Sequence, residues 1–463
     1  MRSVFSIICL LGLVVTFVWA APAPQSIQKR SFKVDRIRNT AFTGHNTPKQ
    51  LFKAHMKFGI RPPQALIDHI NAQAAARQNI ATNNKKKGHK HGNGNGNGNG
   101  NNNNNNGGAT ADAGTNTTAT TTSTTSSTNT TVDAATGSGI GIVTNTPTSG
   151  DVEFLSPVSI GGQTLNMDFD TGSSDLWVFN TGLSAAQSAG HTLFDATKST
   201  TFKKLTGQTF SVSYGDGSSV SGTVGTDVVN IGGAQVNAQA VELATKVSSS
   251  FVQDTASNGL VGLAFSKLNT VQPTQQKTFF DNVQASLASP VFTANLKHDA
   301  AGSYEFGAID STQFSGTMNF VNVETTQGFW QFTSSKFAIG NGTVQTGGAG
   351  QAIADTGTTL LLANDNIVNA YYSTVTGAEN NQQVGGITIP CDADLPDLQL
   401  DVGGKMATVK GTDIMFEQVQ GNTCFGGLQA IDSDLMIFGD VFFKSNFVAF
   451  NIGDNTLGFA PHA

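Results

Sequence analysis

At 463 residues and 38% hydrophobic, the chain exceeds one ordinary domain and holds enough apolar side chain for a sizeable core, which excludes a wholly disordered protein. Its 52 glycines and 13% charged residues, set among many Thr, Ser and Val, favour short strands and turns over surface helices, so an all-β fold class is expected. The net charge of −6 is uneven: residues 21–137 carry 14 Lys and Arg against 4 Asp and Glu, and residues 138–463 carry 11 Lys against 28. A basic leader thus precedes an acidic body, which offers the leader a partner within the chain and disfavours a nucleic-acid or membrane patch.

Residues 1–20 hold Arg2, an apolar run from Val4 to Val18 and the small-residue ending Val18-Trp19-Ala20, the pattern of a secretory signal peptide. The run is short for a membrane span, no second one follows, and Gly458 to Ala463 forms no apolar tail for a lipid anchor. A soluble, secreted protein without a membrane partner is expected. Residues 21–78 read as a basic propeptide, with Lys29-Arg30 a candidate processing site. Leu51, Ala54 and Phe58, then Leu66, Ile67 and Ile70, have helical spacing and predict two short helical segments split by Pro62-Pro63. Lys57 has two readings: a solvated helical lysine, or a buried one that neutralises a pair of carboxylates.

Residues 79–137 lose nearly all apolar side chains, passing through Lys85-Lys86-Lys87, alternating Gly and Asn, an Asn run and then Thr and Ser. Such a stretch cannot bury a core and is expected to be a disordered linker. Asn116 and Asn129 stand in glycosylation sequons, as does Asn341 in the body. His89 and His91 read as solvated linker residues rather than metal ligands, and no metal or cofactor is expected.

The folded body begins near Ser138. Alternating apolar runs at 154–160, 210–214, 224–231 and 236–243 predict strands, and Phe279, Phe280, Val283 and Leu287 predict one face of a helix over 278–287. Tyr214-Gly215-Asp216-Gly217-Ser218 reads as a hairpin tip able to fold over a cleft. Asp170-Thr171-Gly172 follows a predicted strand and precedes Leu176-Trp177-Val178-Phe179; Asp355-Thr356-Gly357 repeats that context before Leu360-Leu361-Leu362. A single Asp-Thr-Gly is a common loop tripeptide. Two copies, each followed at a similar distance by an apolar-apolar-Gly pattern at Leu260-Val261-Gly262 and Ile437-Phe438-Gly439, predict a duplicated lobe, divided here as 138–325 and 326–463. Cys9 leaves with the signal, so Cys391 and Cys424 remain as an even pair in an oxidising compartment and are expected to form a disulfide; zinc needs more ligands than two distant cysteines supply.

Over residues 138–463 these motifs resemble the pepsin-like aspartic proteases, in particular their secreted fungal branch. The resemblance is carried by Asp168 to Phe179, Ser213 to Ser219 and Ile353 to Leu362, with Gly328-Phe329-Trp330, Asn422 to Gly427 and Leu457 to Pro461 beside them. It implies a bilobal pepsin-like fold with the active site between two homologous lobes. It also implies that Asp170 and Asp355 hold a water and titrate as one unit, since neighbouring like charges cannot both ionise. Ser173 and Thr358 would bond the outer carboxylate oxygens, and Thr171 and Thr356 would bridge the lobes. Tyr214, Gly215 and Asp216 would close over an extended peptide, with Gly172, Gly357 and Thr358 lining the opposite wall; the Asp matching Asp216 is associated with accepting Lys as well as large apolar residues. Lys57-Phe58-Gly59 is similar to the Lys-aromatic-Gly element of fungal zymogens and would lock the aspartates before activation. Asp168 is expected to be a structural or surface carboxylate.

A serine or cysteine hydrolase is disfavoured, because the body has only His191, His298 and His462 and its cysteines are paired in this reading. A glycosidase also uses two carboxylates, but nothing else in the repeat asks for a sugar. The rival of a different kind is an inactive, pepsin-shaped binding or cell-surface glycoprotein, which predicts decay of the turns or of Tyr214. Both turns and Tyr214 are intact, so the expected function is a monomeric, secreted endopeptidase acting on proteins and peptides at acid pH.

Overall fold

The computed structural model describes residues 31–35, 47–88, 140–141, 154–213, 218–298 and 300–463. The expected signal peptide, Lys29-Arg30, His89, His91, the sequons at Asn116 and Asn129, and the hairpin-tip residues Tyr214, Gly215 and Asp216 lie outside them. Two copies of one arrangement organise the rest. In the first, β3 (Leu155–Ile160) and β4 (Gln163–Asp170) lead into the Asp-Thr-Gly turn, and β5 (Leu176–Val178) leaves it. The strand Gly259–Gly262 slides between β4 and β5, parallel to the one with Asp170 opposite Gly262, and antiparallel to the other with Leu176 opposite Val261. In the second copy, Gln345–Ala354 leads in, Leu361–Ala363 leaves, and Leu435–Phe438 slides between them in the same two senses. These central strands are covered on both faces, which is why they read as continuous apolar runs rather than as alternation.

Gly262 and Gly439 explain the echo heard in the sequence. A Cβ on Gly262 would stand 2.6 Å from the amide nitrogen of Asp175, and one on Gly439 would stand 2.2 Å from the carbonyl oxygen of Thr358. Only glycine lets each inserted strand pass that close to its turn.

A third seven-stranded sheet joins the copies. Its order runs Asn319–Asn322, Thr456–Pro461, Asn446–Asn451, Val291–Lys297, Ala300–Phe306, β1 (Ser31–Asp35) and β2 (Ile140–Gly141). Strands from both sides of residue 325 share this sheet, and the leader supplies β1. Phe292 stacks on Phe450 with ring centroids 4.5 Å apart and meets Trp330 edge-on at 6.1 Å, so aromatic packing fastens one half to the other.

In the leader, α1 (Thr47–Lys57) and α2 (Gln64–Gly88) flank the two prolines as the spacing predicts. However, α2 runs past Asn79 to Gly88, where disorder was expected. The reason is propensity: Ala, Gln and Arg dominate residues 72–78 and favour helix without an apolar face to bury, and Lys85-Lys86-Lys87 lets it continue. The helix predicted over 278–287 is Phe279–Val283 followed by a tighter turn, Gln284–Ser286, with the Thr278 side chain accepting the Asp281 N–H at its start. Among the described residues, no helix is long and apolar enough to cross a membrane.

Candidate active site

Asp170 and Asp355 sit at the tips of the two turns, 1% and 0% exposed, and each meets the same set of donors. The Gly172 N–H donates to Asp170 Oδ1 at 2.8 Å and Ser173 Oγ to Asp170 Oδ2 at 2.6 Å; the Gly357 N–H donates to Asp355 Oδ1 at 3.0 Å and Thr358 Oγ1 to Asp355 Oδ2. The glycine N–H groups are donors that the motif alone did not reveal. Each glycine also clears room for the opposite aspartate: a Cβ on Gly172 would stand 2.5 Å from Asp355 Oδ1, and one on Gly357 would stand 2.3 Å from Asp170 Oδ1.

The threonines cross over. Thr171 Oγ1 accepts the Thr356 N–H at 2.9 Å and donates to the Ala354 carbonyl at 2.9 Å, while Thr356 Oγ1 accepts the Thr171 N–H at 3.2 Å and donates to the Phe169 carbonyl at 2.7 Å. All four groups are buried, so the two turns are tied by a closed set of hydrogen bonds with no donor wasted. Asp168 stays apart, half-buried on β4 with Leu260 opposite it.

Lys57, the last residue of α1, reaches between the aspartates. Its Nζ lies 2.8 Å from Asp170 Oδ1 and 3.0 and 2.9 Å from the two oxygens of Asp355. The Lys57 side chain is buried there. Burial opposes the charge on Lys57, but the two carboxylates outweigh it and raise the ammonium above the usual lysine range. Burial likewise opposes ionisation of Asp170, yet Lys57 and the surrounding hydrogen bonds hold it down at about 2. In Asp355 burial prevails over Lys57, and the neighbouring Asp170 charge adds to it, so that carboxyl is pushed up to about 6. One carboxylate therefore keeps its charge while the other takes a proton readily.

The leader helices seat on the second half. Leu51, Ala54 and Leu66 join Ile353, Leu360, Leu362, Phe425, Ile431 and Ile437 in one apolar cluster, and Phe58 meets Phe329 edge-on at 5.9 Å. Thr47 Oγ1 bonds Glu417, and His69 Nδ1 meets the Gln383 carbonyl. His55 is buried in this seat although no motif marks it; its place four residues after Leu51, on the helix face that packs, is the signal that was available. Cys391 and Cys424 are bonded to each other, and the sequon residue Asn341 is exposed in the turn after Gln331–Ile339.

A two-lobed all-β protein, with two buried aspartates on duplicated turns braced by each other's threonines, has the architecture of an aspartic protease. The chain belongs to the eukaryotic aspartyl protease family, whose model matches residues 153–462. It is 43% identical over 98% of both chains to an Aspergillus fumigatus protein named for its likeness to aspergillopepsin A as an aspartic endopeptidase. It is 49% identical to penicillopepsin-1 of Penicillium rubens, across 69% of this chain and 80% of that one, and 48% identical to aspergillopepsin-1 of Aspergillus oryzae, across 69% and 82%. The protein is a pepsin-like aspartic endopeptidase of the fungal kind, and no observation favours the inactive alternative.

Proposed function

We propose that the chain is the zymogen of a secreted endopeptidase that cuts internal peptide bonds at acid pH, with Asp170 and Asp355 as its catalytic pair. The observation that carries this reading is Lys57, whose ammonium bonds both carboxylates at once from within the basic leader. With the leader gone, a water takes its place between the two groups. The ionised carboxylate removes a proton from that water as it attacks the peptide carbonyl, and the protonated one polarises the carbonyl oxygen, giving a tetrahedral diol without a covalent enzyme intermediate.

Ser173 and Thr358 hold the outer carboxylate oxygens, and Thr171 and Thr356 keep the turns in register. Gly172, Gly357 and Thr358 line one wall for an extended peptide; Tyr214, Gly215 and Asp216 close over the other, with Asp216 extending a preference for large apolar residues to Lys. In this reading residues 1–20 direct export, 21–78 form the propeptide, 79–137 the linker, and 138–325 and 326–463 the lobes of a monomeric enzyme. Glycans on Asn116, Asn129 and Asn341 fit an exported protein.

The test is an acid-pH assay on a denatured protein with the full-length chain after acidification. The Asp170→Asn variant is expected to lose about a thousandfold or more of the activity, the scale of removing an acid–base group. Activity retained by that variant overturns the assignment.

A further inference from the structure

Beyond Asp170 the first turn carries a second buried carboxylate, Asp175, and a third, Glu242, lies beside it on the strand Ala234–Val247. Each is 1% exposed, and the two carboxyl groups are within hydrogen-bonding reach of one another. The donors around them are too few. Asn269 Nδ2 has two hydrogens for three acceptors, the Ser174 carbonyl at 3.2 Å, Asp175 Oδ1 at 3.0 Å and Glu242 Oε1 at 3.1 Å. The Thr270 N–H and Oγ1 add two donors, at 2.9 and 3.0 Å, but both go to Asp175 Oδ1. Glu242 Oε2 is buried and, among the described residues, receives no hydrogen bond from an N–H or hydroxyl donor.

Among the described residues, no cation forms an ion pair with either carboxyl group. Besides each other, the charged group acting on it from the surrounding elements is Asp170, also acidic, while Lys57 is engaged with Asp170 and Asp355. Burial, and then the Asp175 charge, push Glu242 well above the usual carboxylate range, and burial pushes Asp175 up as well. Two charged carboxylates in one buried site repel strongly, and a proton on one of them supplies the missing donor.

We propose that Asp175 and Glu242 hold one proton between them and act as positioning residues that brace the turn bearing Asp170. The connection is short. The Asp175 carbonyl accepts the Gly262 N–H at 2.8 Å and Ser174 Oγ donates to the Phe265 carbonyl at 2.7 Å, so the turn is tied through its backbone to the inserted strand and through the Asp175 side chain to Asn269 and Thr270. Glu242 pairs directly with Trp177 of β5, the strand that leaves the turn. Because the folded carboxyl holds its proton more tightly than an unfolded one, the bracing is fully present at acid pH and is lost as pH rises through the folded value. The pair thereby sets an upper pH limit on an enzyme that works in acid.

The experiment incubates acid-activated enzyme at pH 7 and at pH 4, returns it to acid, and compares the rates of activity loss. Glu242→Gln keeps a hydrogen-bond donor but has no proton to give up. Its pH 7 rate, relative to its own pH 4 rate, is expected to be at least tenfold lower than that of the wild type; an equal ratio overturns the proposal. A second readout does not need that variant to fold. In the full-length Asp355→Asn chain, which lacks the catalytic pair's own proton, infrared spectroscopy at pH 7 is expected to show a protonated carboxyl band, and its absence overturns the proposal. The infrared result does not depend on the role assigned to Asp170, so the two assignments can fail separately.

Discussion

The hydroxyl of Thr171 serves two partners on the opposite turn, accepting the Thr356 N–H and donating to the Ala354 carbonyl. Valine has nearly the same shape and can do neither, so Thr171→Val leaves a buried N–H without its acceptor and a buried carbonyl without its donor. Each such loss costs about 1–3 kcal/mol, and the variant is expected to unfold about 2–4 kcal/mol more easily in denaturant. Thr356→Val should behave alike, because Thr356 Oγ1 makes the mirror-image pair of bonds with Thr171 and Phe169. The double variant should lose less than the sum of the two, since both side chains belong to one network. Single losses below about 0.5 kcal/mol, the range of an ordinary surface change, would remove the threonines from the list of structural ties between the lobes.

In the proposed zymogen, acid acts on helix α1 through more than one group. Asp355 takes a proton as pH falls through about 6, but Asp170 keeps its charge under Lys57 down to about 2, so the ammonium still has a partner at pH 4. A second group on the same helix responds sooner. His55 is 1% exposed and, among the described residues, neither ring nitrogen makes a well-formed hydrogen bond; burial lowers it from 6.5 to about 4, opposed by the nearby Ala430 carbonyl. Lys49, Lys53 and Lys57 share its helix and Glu417 bonds Thr47 at the start of that helix, and none of them bonds the ring. The seated histidine resists protonation, so docking of the leader is undiminished above 6.5 and weakens as pH falls towards 4. At pH 5 that weakening amounts to about 2 kcal/mol, roughly thirtyfold. His55→Leu is therefore expected to slow self-processing of the full-length chain at pH 5 by about tenfold or more, followed on gels; a time course matching the wild type refutes this role. Local patterns made Lys57 and the two turns legible, because a repeated tripeptide and a basic-aromatic-Gly element carry their own context. His55 and Glu242 were not legible, because their meaning lies in what is absent around them, a hydrogen-bond partner or a cation, and only packing decides that.

At the scale of the whole molecule, the duplication was readable and the sheet that unites its halves was not. Each Asp-Thr-Gly turn belongs to a local strand–turn–strand run, whereas Val291–Lys297 meets Asn446–Asn451, and Ala300–Phe306 meets β1, across long stretches of chain with no shared motif. If the chain is the zymogen proposed above, activation also changes that sheet. β1 comes from the leader and pairs antiparallel with Ala300–Phe306, Phe32 opposite Phe306, so removing residues 21–78 strips that strand of its outer partner. An unpaired strand edge costs hydrogen bonds and invites aggregation. β2 lies on the far side of β1, parallel to it with Ser31 opposite Ile140, near the start of the proposed mature chain, and is the segment placed to move across and fill the gap. Hydrogen exchange read by mass spectrometry can follow the move. The β1-facing amides of Ala300–Phe306 are expected to keep their protection after activation, and to lose it when residues 138–142 are deleted from a chain activated in the same way. Protection that falls tenfold on activation of the undeleted chain would mean that the edge stays open and that β2 does not replace β1.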